Sequence, residues 1–451
     1  MAGGTFDKLV GKERAGTYVN FESDRNDTVG IGSRGIVIVP LTKHNYGPVG
    51  EYITLTAASP DAARAKLGYS IYDNDENRQM LLIREAFKKA ATVLVYRISG
   101  GTAAKATSEP ITATAKYAGT RGNALSFSVV ANVLDETKFD VLVNLDGSKV
   151  AEYTGLTTVE ELVAQDNEYI TFSGEGNLVA IAGVNLAGGT DTAMENAEAT
   201  KFLDSIEFVK FNTLGWPVEE ASLQAAAKTK IKYLRENIGR GVQVVMPNTA
   251  SGDYEGVINV TNTVVVDGVE LTVAEACIWV AAATAAATNV QSNLGVAYEG
   301  ATAIVGAKNH EDAVEALKRG EFFFSIGENN TIVVESDINS LTTFKKPKDK
   351  TYRKNRVIRV FDSFQEALQV NFPPNKYDND PDGWDIMEGI GRSLLTKFGP
   401  KPDGVGAIKN VDLDNDFKVD RTLSEGDETY FNVALQAVDS SEKLFFTVKT
   451  R

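Results

Sequence analysis

The chain has 451 residues, 43% of them hydrophobic, with 46 Lys and Arg against 61 Asp and Glu, a formal net charge of −15. Such a length buries several cores and reads as roughly two to four domains, while the acidic balance excludes a general affinity for nucleic acid or anionic membrane, which need a positive field. The single cysteine, Cys277, excludes an internal disulfide framework and a cysteine-cluster metal site and fits synthesis in a reducing compartment.

Residues 1–25 are rich in glycine and charge and lack the apolar stretch of a signal peptide. Within them Thr17, Tyr18, Val19, Asn20 and Phe21 alternate, Val19 and Phe21 sharing a face, which is the period of a half-buried strand. From 26 to 100 come a strand at 35–40, a short helix opened by Ser59-Pro60-Asp61, a helix near 76–91 and a strand at 92–98. Between 101 and 195 the helical signal disappears. Strands alternate from Leu125 and from Phe139, and Asp146-Gly147 supplies a tight turn into the next.

Strand and helix signals resume with an apolar run at 206–213, a helix through 219–238 stopped by Gly239, and a strand at 242–247. A hairpin turns at Asp267-Gly268, and Thr272-Val-Ala-Glu275 forms a capping box for an Ala-rich helix that suits a buried position better than a membrane span. Cys277 is read as one of its core residues. The last third opens with a basic run at 345–359 that includes Lys345, Lys346 and Lys348; it reads as a domain-joining segment or as a surface complementary to another protein. A helix capped by Ser363 with Glu366 three residues on, a loop at 371–383, a helix at 384–397 and further strands follow. At the C-terminal end Leu444, Phe446 and Val448 alternate with Lys443, Thr447 and Lys449, a second terminal strand signal.

The fold class expected is α+β multidomain. An α/β core, 26–100 and 196–344, is interrupted by an inserted all-β domain, 101–195; an α+β C-terminal domain, 345–440, follows, with extended β arms at 1–25 and 441–451.

Motifs for chemistry fail on context. Gly30, Gly32 and Gly35 match the letters of a dinucleotide-binding turn, but an apolar strand follows where a helix should receive the phosphate. Asp378-Asn-Asp380-Pro-Asp382-Gly383 resembles the start of a calcium loop, yet its twelfth position is Gly389 rather than glutamate. Asp412-Leu-Asp414-Asn-Asp416 has Phe417 where glycine is required. His44 and His310 are the only histidines and neither sits in a zinc or catalytic motif. An enzyme, a cofactor and a metal are therefore not expected.

Three stretches carry a family resemblance: "AKYAGTRGNALSFSV" (115–129), "TIVVESDINSLTTF" (331–344) and "KNRVIRVFDSFQEALQVNF" (354–372). With the Ala-rich helix before "SNLGVAYEGATAIVG" and the terminal strand, they resemble the contractile tail sheath proteins of bacteriophages and phage-tail-like particles, of the shorter Gram-positive phage, prophage and bacteriocin type. The resemblance implies stacked hexameric rings around a tail tube protein, with baseplate and tail-terminator proteins at the ends and no nucleic acid. It implies an outward β domain, an inward C-terminal domain and contraction that drives the tube through a target envelope, which the sheath meets only indirectly. Assembly would occur in the host bacterial cytoplasm, followed by residence in the virion tail or a released particle.

The resemblance further implies that terminal arms leave their own subunit. Thr17, Tyr18, Val19, Asn20 and Phe21 at one end and Leu444, Phe445, Phe446, Thr447 and Val448 at the other would be exchanged strands. On that layout either the basic segment with Lys345, Lys346 and Lys348 or the helix at 384–397 is expected to meet the tube. The alternative is a non-contractile tail-surface or cell-envelope protein whose β domain recognises carbohydrate. That reading favours exposed aromatic platforms, whereas Phe127 and Phe139 fall at alternating core positions.

Overall fold

The computed structural model describes residues 2–4, 16–18, 34–250 and 252–450. Valine- and isoleucine-rich runs buried on both faces make a seven-stranded sheet, as mostly parallel pairing requires. Its order is Glu321–Phe322, Val257–Val260, Gln243–Pro247, Thr213–Gly215, Ile36–Leu41, Thr92–Arg97 and Tyr52–Thr56, with only the last pair antiparallel. Side chains leave it alternately. Val37, Val39 and Leu41 enter a layer formed with the helices Gln79–Phe87 and Val273–Ala286, while Ile38 enters another formed with Asn196–Ser205 and Ala221–Glu236.

The Ala-rich helix starts where its capping box lies: Thr272 Oγ1 accepts from Glu275 N at 3.1 Å, and Glu275 Oε2 accepts from Thr272 N at 2.7 Å. Small side chains let it approach the sheet so closely that a Cβ on Gly215 would lie 2.6 Å from Ile278 Cδ1. Cys277 is buried in this helix, and burial pushes its thiol pKa up.

Two chain-order expectations need correction. The run at 206–213 is not one strand: Ile206–Phe208 is a 3-10 turn extending the preceding helix, and the sheet strand is Thr213–Gly215. Ile206 and Phe211 fill the core from irregular backbone, whereas Phe208 points out, 86% exposed. Nor does Ser363 open a helix. It lies buried within Asn355–Asn371, because Val357, Ile358 and Val360 continue the apolar stripe of Phe364 and Ala367 and draw the helix two turns further back.

The segment between the two parts of this sheet has its own core. One antiparallel sheet runs in the order Ser148–Leu156, Phe139–Leu145, Leu125–Ala131, Ile181–Asn185; another runs Ile170–Gly174, Ile111–Ala115, Lys105–Ser108. Phe127 and Phe172 meet edge to face at 5.8 Å inside it. Asp146 and Gly147 take positive φ of 52° and 75°, the two-residue hairpin turn their types favour. Phe127 is buried and Phe139 half-buried, so neither forms an exposed platform.

Arg97 ties this segment to the sheet, donating to the carbonyls of His44 (3.0 Å), Gly47 (2.8 Å), Gly100 (2.9 Å) and Ala118 (2.7 Å). His44 beside it is buried and donates from Nε2 to Leu67 O at 2.9 Å; burial, helped by the Arg97 charge, lowers its pKa from 6.5 to about 3. The unfolded imidazole binds a proton below about pH 6.5 that the folded one refuses, so the stability is full above that pH and falls on acidification until about pH 3. His44 is thus expected to account for a loss of about 2 kcal/mol between neutral pH and about pH 5. Urea titrations across that range should show a flatter slope for His44→Gln; an unchanged slope would remove His44 as the cause.

The C-terminal region packs Asn355–Asn371 against Pro381–Phe398 through Phe364 and Phe398, whose rings are 5.2 Å apart. Asp380 caps the second helix, accepting from Gly383 N at 2.8 Å, and Pro381 occupies its first turn. The acidic stretch at 378–383 is therefore a helix start. Strands Phe417–Val419 and Phe431–Val433 pair antiparallel beside the helices. Phe417 covers Gly391, where a Cβ would stand 2.0 Å from its ring. Gly391→Ala is expected to cost about 1–3 kcal/mol by overpacking, measured as a lower urea midpoint; no change would show that the strand can shift freely.

Candidate assembly surfaces

The chain from Tyr430 to Val438 uses its even-numbered residues on one side. Tyr430 O accepts from Asp420 N (2.7 Å), Ala434 N donates to Asp416 O (2.9 Å), Gln436 O accepts from Lys409 N (2.9 Å) and Val438 N donates to Ala407 O (2.8 Å). In antiparallel pairing the odd-numbered residues then turn their main-chain groups the other way. Among the described residues the N–H groups of Phe431, Val433, Leu435 and Ala437 donate to nothing. An open strand edge results, apolar on the face that carries Phe431 and Val433.

Beyond this edge the chain is pinned and then released. Arg356 Nη1 donates to Ser440 Oγ at 2.9 Å, and Lys354 pairs with Glu442, so both ties reach the start of the 355–371 helix. Past Glu442, Leu444 is 66%, Phe445 91%, Phe446 82% and Val448 84% exposed, and Thr447 is exposed too. Residues 441–450 form no strand here, since no main chain pairs with theirs among the described residues. So contiguous an apolar stretch in water marks a contact surface.

At the other end Gly16–Tyr18, which includes Thr17 and Tyr18, pairs in parallel with Ala2–Gly4. Val19, Asn20 and Phe21 lie outside the described residues, as do Gly30 and Gly32. Gly35 takes φ +112° and leads directly into the strand Ile36–Leu41, so no helix N-terminus follows it.

The basic run divides into parts with different roles. Lys345 and Lys346 are exposed on a turn closed by Lys348 N donating to Lys345 O at 2.8 Å. Lys348 turns back to the core, pairing with Glu255, standing 3.7 Å from Glu236, and lying 5.3 Å from the Tyr254 ring centre. Arg359 is wholly buried: Nη2 donates to Asp337 Oδ2 (2.6 Å) and to Gln291 O (2.7 Å), while Asp337 also accepts from Asn355 Nδ2 (3.0 Å) and Asn293 N (2.9 Å). Arg235 and Asp362 make a second, bidentate tie at 2.7 and 3.0 Å. The run is therefore not a solvated linker throughout; its later part opens a helix tied to the loop segments at 291–293 and 337, and that helix is tied through Asp362 to the helix Ala221–Glu236.

Sequence reasoning singled out the alternation at 444–448, which lies exposed here and forms no strand, and it missed the open edge and the Lys354–Glu442 pin. The alternation of Phe431, Val433 and Leu435 was the available signal for the strand, though not for which of its edges stays open.

Phage tail sheath family models match four consecutive stretches: the domain III N-terminal region of tail sheath protein Gp18 over 34–98, the β-sandwich domain over 99–191, the central domain over 192–340 and the C-terminal domain over 347–451. The phage-like element PBSX protein XkdK of Bacillus subtilis is 37% identical, with 100% of each chain aligned. The solved sheath tail protein of Desulfitobacterium hafniense is 36% identical, with 96% of this chain and 99% of that one superposed at a TM-score of 0.82. That of Listeria innocua is 32% identical over 92% and 95%, at 0.77. The contracted sheath of an extracellular contractile injection system shares the fold at 11% identity and a TM-score of 0.57, over 98% of this chain and 99% of that one.

Proposed function

The chain belongs to the phage tail sheath proteins, and from that premise we propose that it is a structural subunit that polymerises as stacked hexameric rings around a tail tube, knitted by exchanged terminal strands, and contracts to drive the tube through a target cell envelope. The observation that carries this reading is the presence, in one chain, of an exposed apolar arm at 444–448 and an unpaired apolar edge at 431–437. Strand addition needs main-chain hydrogen bonds and alternating side chains; the edge offers main-chain groups and the arm an alternating apolar row, which supports the reading. Four or five such bonds at about 0.5–1.5 kcal/mol each hold an arm by a few kcal/mol, and an extended arm of about fifteen residues spans on the order of 50 Å, enough to reach a neighbour.

In this reading the core, 26–100 and 196–344, is the unit that repacks on firing, the 101–195 domain faces outward and 345–440 faces the tube. Contraction requires two packings of the same subunits separated by a barrier, with the arms as hinges. Baseplate and terminator proteins meet the two ends of the sleeve. Assembly takes place in the host bacterial cytoplasm, before the subunit resides in a virion tail or released particle.

Negative-stain microscopy of the purified protein, with and without tube protein, is the test. Hollow tubes or six-fold stacked rings are the expected result, and a stable monomer at high concentration in both conditions would overturn it. For the tube contact, charge reversal at Lys345 and Lys346 is expected to reduce assembly on tubes several-fold without changing the melting temperature. Lys348→Glu is expected to destabilise the fold as well, since Lys348 pairs with Glu255. Unchanged tube assembly would remove the basic segment from the contact.

A further inference from the structure

The C-terminal region carries opposite charges at its two ends. At the start of the helix Asn355–Asn371, a groove of about 650 Å³ opens between the helix His310–Lys318, the segment at 336–338 and the chain at 439–443. Five cations line it, Lys318, Lys350, Arg353, Lys354 and Lys443, against the carboxylates of Asp439 and Glu442. Lys354 is taken by Glu442 and Lys318 by Glu315. Arg353 has no such partner: its Nε is buried and donates to nothing among the described residues, and burial lowers its pKa with no carboxylate opposing the shift.

The far end is acidic. Residues 376–385 and 420–428 each hold four carboxylates, with Lys376 and Arg421 the only cations in the two stretches. Asn379 fastens the stretches together, donating from Nδ2 to Gly426 O and Glu428 O at 3.0 Å each and accepting from Thr429 Oγ1 at 2.9 Å. Arg421 is engaged by Asp385 and stands 3.9 Å from Glu388, while Glu425, Asp427 and Glu428 are exposed and pair with no Lys or Arg among the described residues. Tyr377 donates to Asn371 O at 2.9 Å, which keeps this end at the last turn of the helix. The helix has 17 residues, on the order of 25 Å at 1.5 Å per residue, so the two ends do not meet within one subunit.

We propose that the acidic end of one subunit docks in the basic groove of the next, an inference that rests on the polymerisation reading above. Complementary patches at different places on the same chain make a heterologous, head-to-tail contact, which closes into a ring or runs on as a helix. Opposite charge fixes the order and register of such a contact, and like ends repel. The arm leaves its subunit from this groove, at Ser441 to Lys443, and the open edge begins at Phe431, just past the acidic turn. Docking therefore brings the exit of one arm to the start of its neighbour's free strand.

The test uses sheaths assembled, with and without tube protein, from equal parts of isotope-labelled and unlabelled full-length subunit, treated with a carbodiimide, which condenses a lysine amine with a carboxylate, and digested for mass spectrometry. Cross-links between subunits should join Lys350 or Lys443 to Glu425, Asp427 or Glu428. Lys318→Glu with Lys350→Glu, and Glu425→Lys with Asp427→Lys, all at exposed positions, should each lower sheath yield about tenfold or more at low salt with the melting temperature unchanged, because like charges then face each other. An equal mixture of the two double variants should regain most of the yield, since each offers the end that the other lacks. A mixture as poor as either variant alone, or double variants that each assemble normally, overturns the docking while polymerisation stands. Cross-links from these residues to tube protein alone assign the ends to the tube and overturn it as well. Native subunit that forms no sheath in either condition overturns the polymerisation reading and the docking with it. Should a variant fail to fold, the native sheath decides: no cross-link between the two ends overturns the proposal.

Discussion

Deleting residues 442–451 is expected to abolish sheath polymerisation while lowering the melting temperature of the isolated subunit by no more than about 1–2 °C. The small stability effect follows from what the segment touches. Beyond Glu442 its apolar side chains face water, and the Lys354–Glu442 pair is of the partly exposed kind that contributes about 0–1 kcal/mol. The assembly effect follows from what it would touch in a sleeve. Each arm would lose its strand bonds and the burial of Leu444, Phe446 and Val448, each about 1.5–3 kcal/mol on full burial. Every 1.4 kcal/mol is about tenfold in association, so several kcal/mol at every contact of a polymer removes it at working concentrations. Phe446→Asp should reproduce most of the defect with the main chain intact. Tubes formed normally by the truncated chain, or a truncated chain that unfolds, would each contradict the exchanged-arm reading.

The parts of this molecule that were legible in the sequence are those specified by near neighbours. Thr272 and Glu275 cap the Ala-rich helix through bonds spanning three residues, Asp146-Gly147 makes its turn from its own backbone preferences, and the valine runs at 37–39 and 93–95 announce buried strands. What failed was decided at a distance. Ser363 and Glu366 have the spacing of a helix start, yet the apolar stripe from Val357 onward finds a partner surface and overrides them. The eight cations at 345–359 look alike as letters, but Arg359 meets Asp337 across 22 positions and becomes a core group, whereas Lys345 stays in water. The arm at 444–448 advertised its period without its partner. That the odd-numbered main-chain groups at 431–437 are left open depends on how the strand packs against its neighbours, and no local pattern encodes that.

The same distant contacts lead to the largest stability effect expected. Asp337→Asn should destabilise the subunit by about 3–5 kcal/mol, because it leaves the Arg359 guanidinium buried without a counter-charge. That group has little to fall back on: its Nε and Nη1 donate to nothing among the described residues, and Nη2 would keep only Gln291 O as an uncompromised acceptor. The double variant Asp337→Asn with Arg359→Met should recover more than half of the loss, since an apolar replacement of a buried pair is often close to neutral. Urea midpoints of the two single variants and the double variant measure the coupling directly. The pair also has consequences for assembly. Lys354 and Arg356, which pin the root of the arm, precede Arg359 on the same stretch of chain, so loosening this bolt frees the arm's anchor from the loop segments that carry Asp337 and Gln291. Asp337→Asn is therefore expected to raise amide exchange across 355–371 and to lower polymer yield at temperatures where the subunit is still folded. A loss below about 1 kcal/mol, the range of an exposed ion pair, would mean that the pair does not hold the helix to the segment that carries Asp337.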